Sequence, residues 1–292
     1  MSFNCLSNIV VRNPVRVLEC LKRRGFHMVK EYANGIDFYE ENKAILLSNK
    51  YTEPFFRLDY PLLVKAGKDE YAIRITDGRS CLLALCVEPY NIMLHGDSSL
   101  AREFVGYVTA NGYRIKDFLC SIELGEELVS CFRDEGYSFS LSLGMDFMEA
   151  DRKTQVDDSH VEHAAEGDVD ELYQMTVSFI RDCGLSDVAR KERIRETLRD
   201  YRIHRRDGQI ASFTKIHEWT DRDTKISTVY TRDEFRNQGC ARTVVGSVLN
   251  EIIDSGRIAV LNVDQKNPVS YHLYTSMGFR KIFSQGVFKL NE

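Results

Sequence analysis

An eight-residue pattern occurs twice in this chain, and the order of elements around it repeats as well. "AREFVGYV" (Ala101 to Val108) and "ARTVVGSV" (Ala241 to Val248) agree at five positions: Ala, Arg, Val, Gly and Val. Each copy opens a helical pattern that ends in glycine, and a strand pattern follows, "YRIKDFLCSI" in the first and "RIAVLNV" in the second. Next comes a short helix with a similar tail, "FRDEGY" (Phe132 to Tyr137) against "YTSMGF" (Tyr274 to Phe279), and then a strand, "SFSLSLGMDF" or "KIFSQGVFKL". Eight residues alone could match by chance. The shared order of elements makes the match a duplication and restricts the fold to two similar α/β units.

The length fits: 292 residues is about two domains. "EADRKTQVDDSH" (Glu149 to His160) is polar and nearly free of large apolar residues, so it is the expected linker. It divides the chain into an N-terminal domain, 1–150, and a C-terminal domain, 157–292. Hydrophobic residues make up 43%, enough for real cores. The net charge of -5 gives no global field for nucleic acid, and the basic run "ARKERIRETLRDYRIHRR" reads as a solvated helix face. No apolar run is of spanning length, so no membrane is expected. Eight cysteines without a C-x-x-C pair or a His/Cys cluster point to reduced thiols, no metal and a cytoplasmic protein. Cys81 and Cys86 lie in the apolar run "CLLALCV" and read as packing.

The second half is mixed α/β. "HVEHAAEGD" reads as a short strand and turn. "DVDELYQMTVSFIRDCG" reads as a helix closed by Gly184, and "SDVARKERIRETLRDY" as a second helix with Ser186 or Asp187 as N-cap. "YRIHRRDGQIASFTKIHEW" is a hairpin about Asp-Gly, and "KISTVYT" continues the sheet. "ARTVVGSVLNEIIDSG" is a helix, "IAVLNVD" a buried strand, and "NPVSYHLYTSMGF" a short helix with proline in its first turn.

Between "KISTVYT" and the long helix stand Arg236, Asn237, Gln238 and Gly239. A polar turn here presents backbone N–H groups at a helix N-terminus, where they lack intrahelical partners and carry partial positive charge. Gly239 permits positive φ and close ligand approach, and Arg236 and Arg242 add charge. The sum is an anion cradle suited to a phosphate or pyrophosphate. The competing reading is an ordinary glycine-containing loop. A dinucleotide or nucleoside triphosphate site is not indicated: the chain has neither G-x-G-x-x-G nor G-x-x-x-x-G-K-[ST].

"RNQGCA" resembles the Q/R-x-x-G-x-G/A signature of the GNAT superfamily of acyl-CoA N-acyltransferases. "LNVDQKNPVSYHLYTSMGF" resembles a second GNAT pattern, with Leu261, Val263, Asn267, Tyr274, Gly278 and Phe279 in place and Ser270 where alanine is common. Together the two cover about half of the C-terminal domain. The N-terminal half resembles the family only through the repeat. The resemblance implies two tandem GNAT-like units, each a mixed, mostly antiparallel sheet flanked by helices, the N-terminal one degenerate. It further implies an N-acetyltransferase that moves an acetyl group from acetyl-CoA to a primary amine by direct attack in a ternary complex. The acceptor would be a small molecule, or a protein N-terminus or lysine, and a homodimer is compatible with the sequence. The cofactor's pyrophosphate would lie on Gln238, Gly239, Cys240 and Ala241, near Arg236, Asn237 and Arg242. Its pantetheine would follow Val229, Tyr230 and Thr231, helped by Asn267. Tyr274 would protonate the departing thiolate.

One departure matters. Several GNAT proteins carry a glutamate base where this chain has Asn262, and asparagine accepts no proton at neutral pH. Asp264 shares that strand face and is the first substitute; Glu218, His217 and the C-terminal carboxylate of Glu292 are others. Each has a plainer reading, Asp264 as a helix-capping residue and "HEW" as a solvated strand end. The missing glutamate also keeps open a non-catalytic acyl-CoA-binding or protein-interaction module. In the first half Asp97 stands in the turn that matches the cradle, and Phe132 stands opposite Tyr274, so that half is expected to be a scaffold.

Overall fold

The computed structural model describes residues 17–20, 27–184 and 188–291. Ser186, Asp187 and Glu292, named above, lie outside the described residues. The chain forms two compact units, one of residues 1–144 with 284–292 and one of residues 145–283.

The first unit contains β1 (Val17–Cys20), β2 (His27–Tyr32), α1 (Gly35–Leu47), α2 (Glu53–Asp59), β3 (Tyr71–Thr76), β4 (Cys81–Cys86), β5 (Ile92–Gly96), α3 (Ala101–Ala110), β6 (Phe118–Ser121), α4 (Ile122–Asp134) and the start of β7 (Phe139–Ala150). Strands β1 to β5 pair antiparallel in sequence order, and β6 joins β5 in parallel. The next neighbour of β6 is the last segment of the chain, with Gln285 to Phe288 opposite Ser121 to Phe118. Sequence patterning did not place residues 284–292 in this unit, because a strand pattern carries no record of its partner. The strand expected over "YRIKDFLCSI" is only four residues long. Ser121 ends it by capping α4, its Oγ accepting from the Leu124 N–H, and Leu124, Leu128 and Phe132 then give one buried helix face.

The second unit contains the end of β7, β8 (Val161–His163), α5 (Val169–Asp182), α6 (Lys191–Glu196), β9 (Tyr201–Arg206), β10 (Gln209–Glu218), β11 (Asp223–Thr231), α7 (Cys240–Asp254), β12 (Ile258–Asp264), α8 (Pro268–Ser276) and the start of β13 (Arg280–Leu290). Its sheet order is β7-β12-β11-β10-β9-β8. All pairs are antiparallel except β11 with β12. On one face Val244, Val245, Val248 and Leu249 of α7 pack with Ile226, Ala259, Leu261 and Val263. On the other, Val169, Leu172 and Met175 of α5 pack with Ile203, Ile210, Phe213 and Tyr230. The helix expected over residues 186–201 is shorter. Thr197 closes α6 by returning its hydroxyl to the Arg193 carbonyl, and a single 3₁₀ turn leads into β9.

The two matched segments agree in backbone detail. In α4 the N–H of Tyr137 donates to the Phe132 carbonyl and that of Gly136 to Arg133, with Gly136 at φ +88°. In α8 the N–H of Phe279 donates to Tyr274 and that of Gly278 to Thr275, with Gly278 at φ +93°. Both are Schellman caps on a left-handed glycine. Each then sets an aromatic pair edge to face, Phe132–Tyr137 at 6.0 Å and Tyr274–Phe279 at 5.9 Å. The matched tails "FRDEGY" and "YTSMGF" are thus one capping device used twice.

Candidate active site

Strand β11 makes the site by departing from regular structure in two places. Thr228 lies at φ +52°, and the register with β10 slips between the pairs Phe213–Tyr230 and Lys215–Ser227. This bulge leaves one extra residue on β11 and bends the strand. In addition, β11 and β12 are in parallel register only from Asp223–Ile258 to Lys225–Val260, although they continue to Thr231 and Asp264. Beyond Lys225 the strands part, and a strand edge with unpaired backbone groups is left facing the gap.

A cleft of about 820 Å³ opens there. Val229, Tyr230 and Thr231 form one wall, Asn237, Gly239, Cys240, Ala241 and Arg242 a second, and Asn267, Ser270 and Tyr274 a third. Gly239 is the N-cap of α7 at φ +81°, and no side chain caps this helix. Asn237 is also left-handed, at φ +59°. The N–H groups of the first turn of α7 are therefore turned into the cleft without a side-chain acceptor. Of the sequence-derived cofactor residues only Gln238 does not line it. Its carboxamide is held elsewhere, accepting from Arg206 at 2.7 Å and donating to the Glu234 carbonyl at 2.7 Å.

The charges are less one-sided than the sequence implied. Arg236 is paired with Asp182 at 3.0 Å and Asp233 at 2.8 Å, and both acids line the cleft. Hydrogen bonds from Arg181 and then Arg236 hold the Asp182 carboxyl below its ordinary range. Arg242 reaches the Ser276 hydroxyl at 2.9 Å. Asp182 ends a helix far away in sequence, and no local motif announces it.

Tyr274 is 6% exposed, and burial pushes its phenol well above the ordinary range, with the neighbouring Cys183 adding to the shift. It stays a proton donor at neutral pH. Cys183 also lines the cleft; burial, then the carboxylates of Asp182 and Asp264, push its thiol up. Asp264 itself is outside the lining residues. Its Oδ1 accepts from the Lys266 N–H at 2.8 Å in the turn before α8, yet its charge is felt at Cys183. Asn267 caps α8, accepting from the Ser270 N–H at 3.0 Å. Asn262 points its amide at the Met145 sulfur, 3.2 Å away. Glu218 is not brought to the cleft: its side chain is 87% exposed and lies 3.7 Å from Arg257. Strand alternation puts it with Ile226 on the α7 face, whereas its neighbour His217 turns to the opposite face. No group of His, Cys, Asp and Glu able to hold a metal is found among the described residues.

In the first unit a carboxylate stands in the turn ahead of α3. Asp97 caps the 3₁₀ turn Ser98–Leu100 that leads into this helix, its Oδ1 accepting from the Ser99 N–H at 2.9 Å and its Oδ2 from Ser80 Oγ at 2.6 Å. Phe132 is buried among Phe118, Tyr137 and Phe139.

The fold is similar to that of several solved proteins. The TM-score is 0.60 to a GNAT-family acetyltransferase from Colwellia psychrerythraea, at 9% identity over 90% of this chain and 98% of that one. A GCN5-related N-acetyltransferase from Sphaerobacter thermophilus gives a TM-score of 0.57 at 13% identity, covering 90% and 95%. A tandem GNAT protein from the clavulanic acid biosynthesis pathway gives 0.51 at 11% identity, covering 91% and 98%. Residues 207–287 match the FR47-like protein family. The chain has the fold of these GNAT proteins. No curated protein sequence matches the chain. At these identities the likeness shows the fold, and the chemistry has to be argued from the cleft.

Proposed function

We propose that the second unit is an N-acyltransferase that binds acetyl-CoA in the cleft and transfers the acetyl group to a primary amine. The observation that carries this reading is the junction in one cleft of three parts: an uncapped helix N-terminus behind left-handed Gly239, the free edge of β11 at Val229 to Thr231, and the buried phenol of Tyr274. A pyrophosphate suits the first, an amide-rich pantetheine arm the second, and a leaving thiolate the third.

In this reading the pyrophosphate accepts from the N–H groups of Gly239, Cys240, Ala241 and Arg242. Arg236 exchanges part of its pairing with Asp182 and Asp233 for phosphate, and Arg242 and Asn237 lie alongside. Val229 to Thr231 pair with the pantetheine, and Asn267 borders it. The amine nitrogen attacks the thioester carbonyl carbon while both substrates are bound. Its surplus proton passes through water to Asp264. The C–S bond then breaks, and the sulfur takes the proton of the Tyr274 hydroxyl. Positioning of a neutral amine supplies most of the acceleration, so a strong base is not required. Glu218, on the far face, takes no part. The first unit, with the Asp97 carboxylate in the turn ahead of α3, is a scaffold.

Calorimetry with CoA, followed by a thiol-release assay with acetyl-CoA and a mixed amine panel, tests the reading. CoA binding with amine-dependent thiol release is expected. CoA binding without turnover of any amine would leave a binding module; absence of CoA binding would overturn the proposal altogether.

A further inference from the structure

The face of the second sheet away from α7 carries a cation with no counter-charge. Lys225 of β11 stands directly opposite His217 of β10, so both side chains leave the same face. The Lys225 ammonium lies 4.1 Å from the centroid of Trp219 and 5.6 Å from that of Phe147. Phe147 is fully buried and packs on Trp219 at 6.4 Å and on Phe283 at 6.1 Å, and His217 meets Trp219 edge to face at 6.2 Å. Lys225 makes no ion pair or hydrogen bond with the described residues. Lys215, two residues before His217 on the same face, donates to Thr197 Oγ1 at 2.9 Å. Burial lowers the Lys225 ammonium to about 8, so it remains mostly charged at neutral pH. Burial, then Lys225 and Lys215, hold His217 down at about 4, so it is neutral there and able to donate one hydrogen bond. The charge of Asp200 bears on Lys215 and His217, whereas burial is the cause of the shift at Lys225.

The position of Lys225 gives this cation a use. It is the last residue of β11 still in register with β12, opposite Val260, and the gap between the strands opens immediately after it. The thioester of a cofactor running along Val229 to Thr231 ends toward that fork. An amine that attacks from the face opposite α7 arrives beside Lys225, Asn262 and His217. A half-buried ammonium walled by aromatic rings and lacking an anion is a costly arrangement on its own, and an incoming anion removes that cost.

We propose that Lys225, with Trp219, Phe147 and the neutral His217, forms the acceptor subsite and selects amines that bear a carboxylate, as an α-amino acid does. One ammonium and one neutral imidazole suit a single negative charge; a phosphate ester gathers more donors than this. The proposal rests on the acyltransferase reading of the adjoining cleft, and its test separates the two.

The common α-amino acids are compared, each against its C-amidated form, by ligand-observed NMR on the CoA-loaded protein, and by thiol release with acetyl-CoA. At least one free acid should bind ten-fold or more tightly than its amide and be acetylated with a correspondingly higher kcat/KM. Lys225→Met should erase that preference through a 10- to 100-fold rise in the acid's Kd and KM, with CoA affinity and melting temperature retained. Lys225→Arg, which keeps the charge, should retain much of it, and rules out a loss caused by misfolding. Acids binding no better than amides in the wild-type protein, or a preference that survives Lys225→Met, would overturn the subsite. Should CoA fail to bind, the acyltransferase reading falls, and the same acid-against-amide comparison on the free protein still decides the subsite.

Discussion

Two residues carry most of what the cleft asks of single side chains. Tyr274 keeps its proton because it is buried, so it can give one to a thiolate and cannot act as base. Tyr274→Phe preserves the ring and its edge contact with Phe279 and removes only the proton. Turnover should fall by roughly 10²- to 10⁴-fold while CoA affinity and Tm hold; an unchanged kcat in the folded variant would make Tyr274 a packing aromatic like Phe132. Gly239 is needed for its backbone. At φ +81° a side chain is strained, although open space surrounds the position, so the fold itself should tolerate replacement. Gly239→Asp adds a carboxylate at the helix entrance, much as Asp97 places one in the turn ahead of α3, and calorimetry should show CoA affinity falling by at least 100-fold. Both residues were legible in the sequence because a capping glycine and a helix-face tyrosine leave local signatures. Asp182 was not: it belongs to another helix, and only the fold brings it to Arg236. Lys225 was equally silent, and His217 was named only as a candidate base, since alternation assigns a face but not the aromatic neighbours that make the face unusual.

Elements were read well where their signals are local and poorly where they depend on a neighbour. Turn chemistry placed the β9–β10 hairpin and the α7 and α8 starts correctly, and the repeat marked the similar tails in which both α4 and α8 are capped. The bulge at Thr228 and the splay after Lys225 left no trace, because both are defined by the pairing strand. The polar segment at residues 149–160 read as a free linker, but part of it is docked on α7. Asn250 accepts from the Thr154 N–H at 2.9 Å and donates to the Thr154 carbonyl at 3.0 Å, Val156 lies where a Cβ on Gly246 would stand, and Lys153 pairs with Asp254. Composition shows that such a segment is polar, and polar backbone can still be bound by one amide. Asn250→Ala removes both bonds and should cost about 1–2 kcal/mol. Trypsin should then cut at Arg152 or Lys153 several-fold faster than in the wild-type chain; equal rates would mean that the segment is not held by Asn250.

Across the whole molecule, the proposed reading puts one cofactor site on each chain: calorimetry should return a CoA stoichiometry near one, and a value of two would overturn the scaffold role of the first unit. The pH dependence of stability has an equally definite shape. Burial holds His95, His204 and His217 below the usual imidazole range, His217 at about 4. In the unfolded chain these groups take up protons near 6.5. Between about pH 6.5 and 4 the unfolded state therefore binds more protons than the folded one, so stability rises with pH across that window and falls on acidification. The lowered carboxylates, such as Asp97 and Asp182, act below this range, since their shifts begin from 3.8. Lys225 produces the same sign at the alkaline end. Its folded value of about 8 lies below the unfolded one near 10.4, so it adds a rise between those limits, opposed from about pH 9 upward by the thiols of Cys81, Cys86, Cys120, Cys131 and Cys183, whose raised values give the opposite sign. Urea melts from pH 4 to 10.5 should show a rising acid limb, and the Lys225 contribution at the alkaline end is read as the difference between the wild-type chain and Lys225→Met. His217→Asn should flatten the acid limb and leave the alkaline one, and Lys225→Met should make the alkaline limb fall more steeply while also softening the acid limb, because Lys225 helps to hold His217 down. If Lys225→Met leaves the alkaline limb intact, its ammonium is solvated in the folded protein, and the subsite built on its burial fails with it.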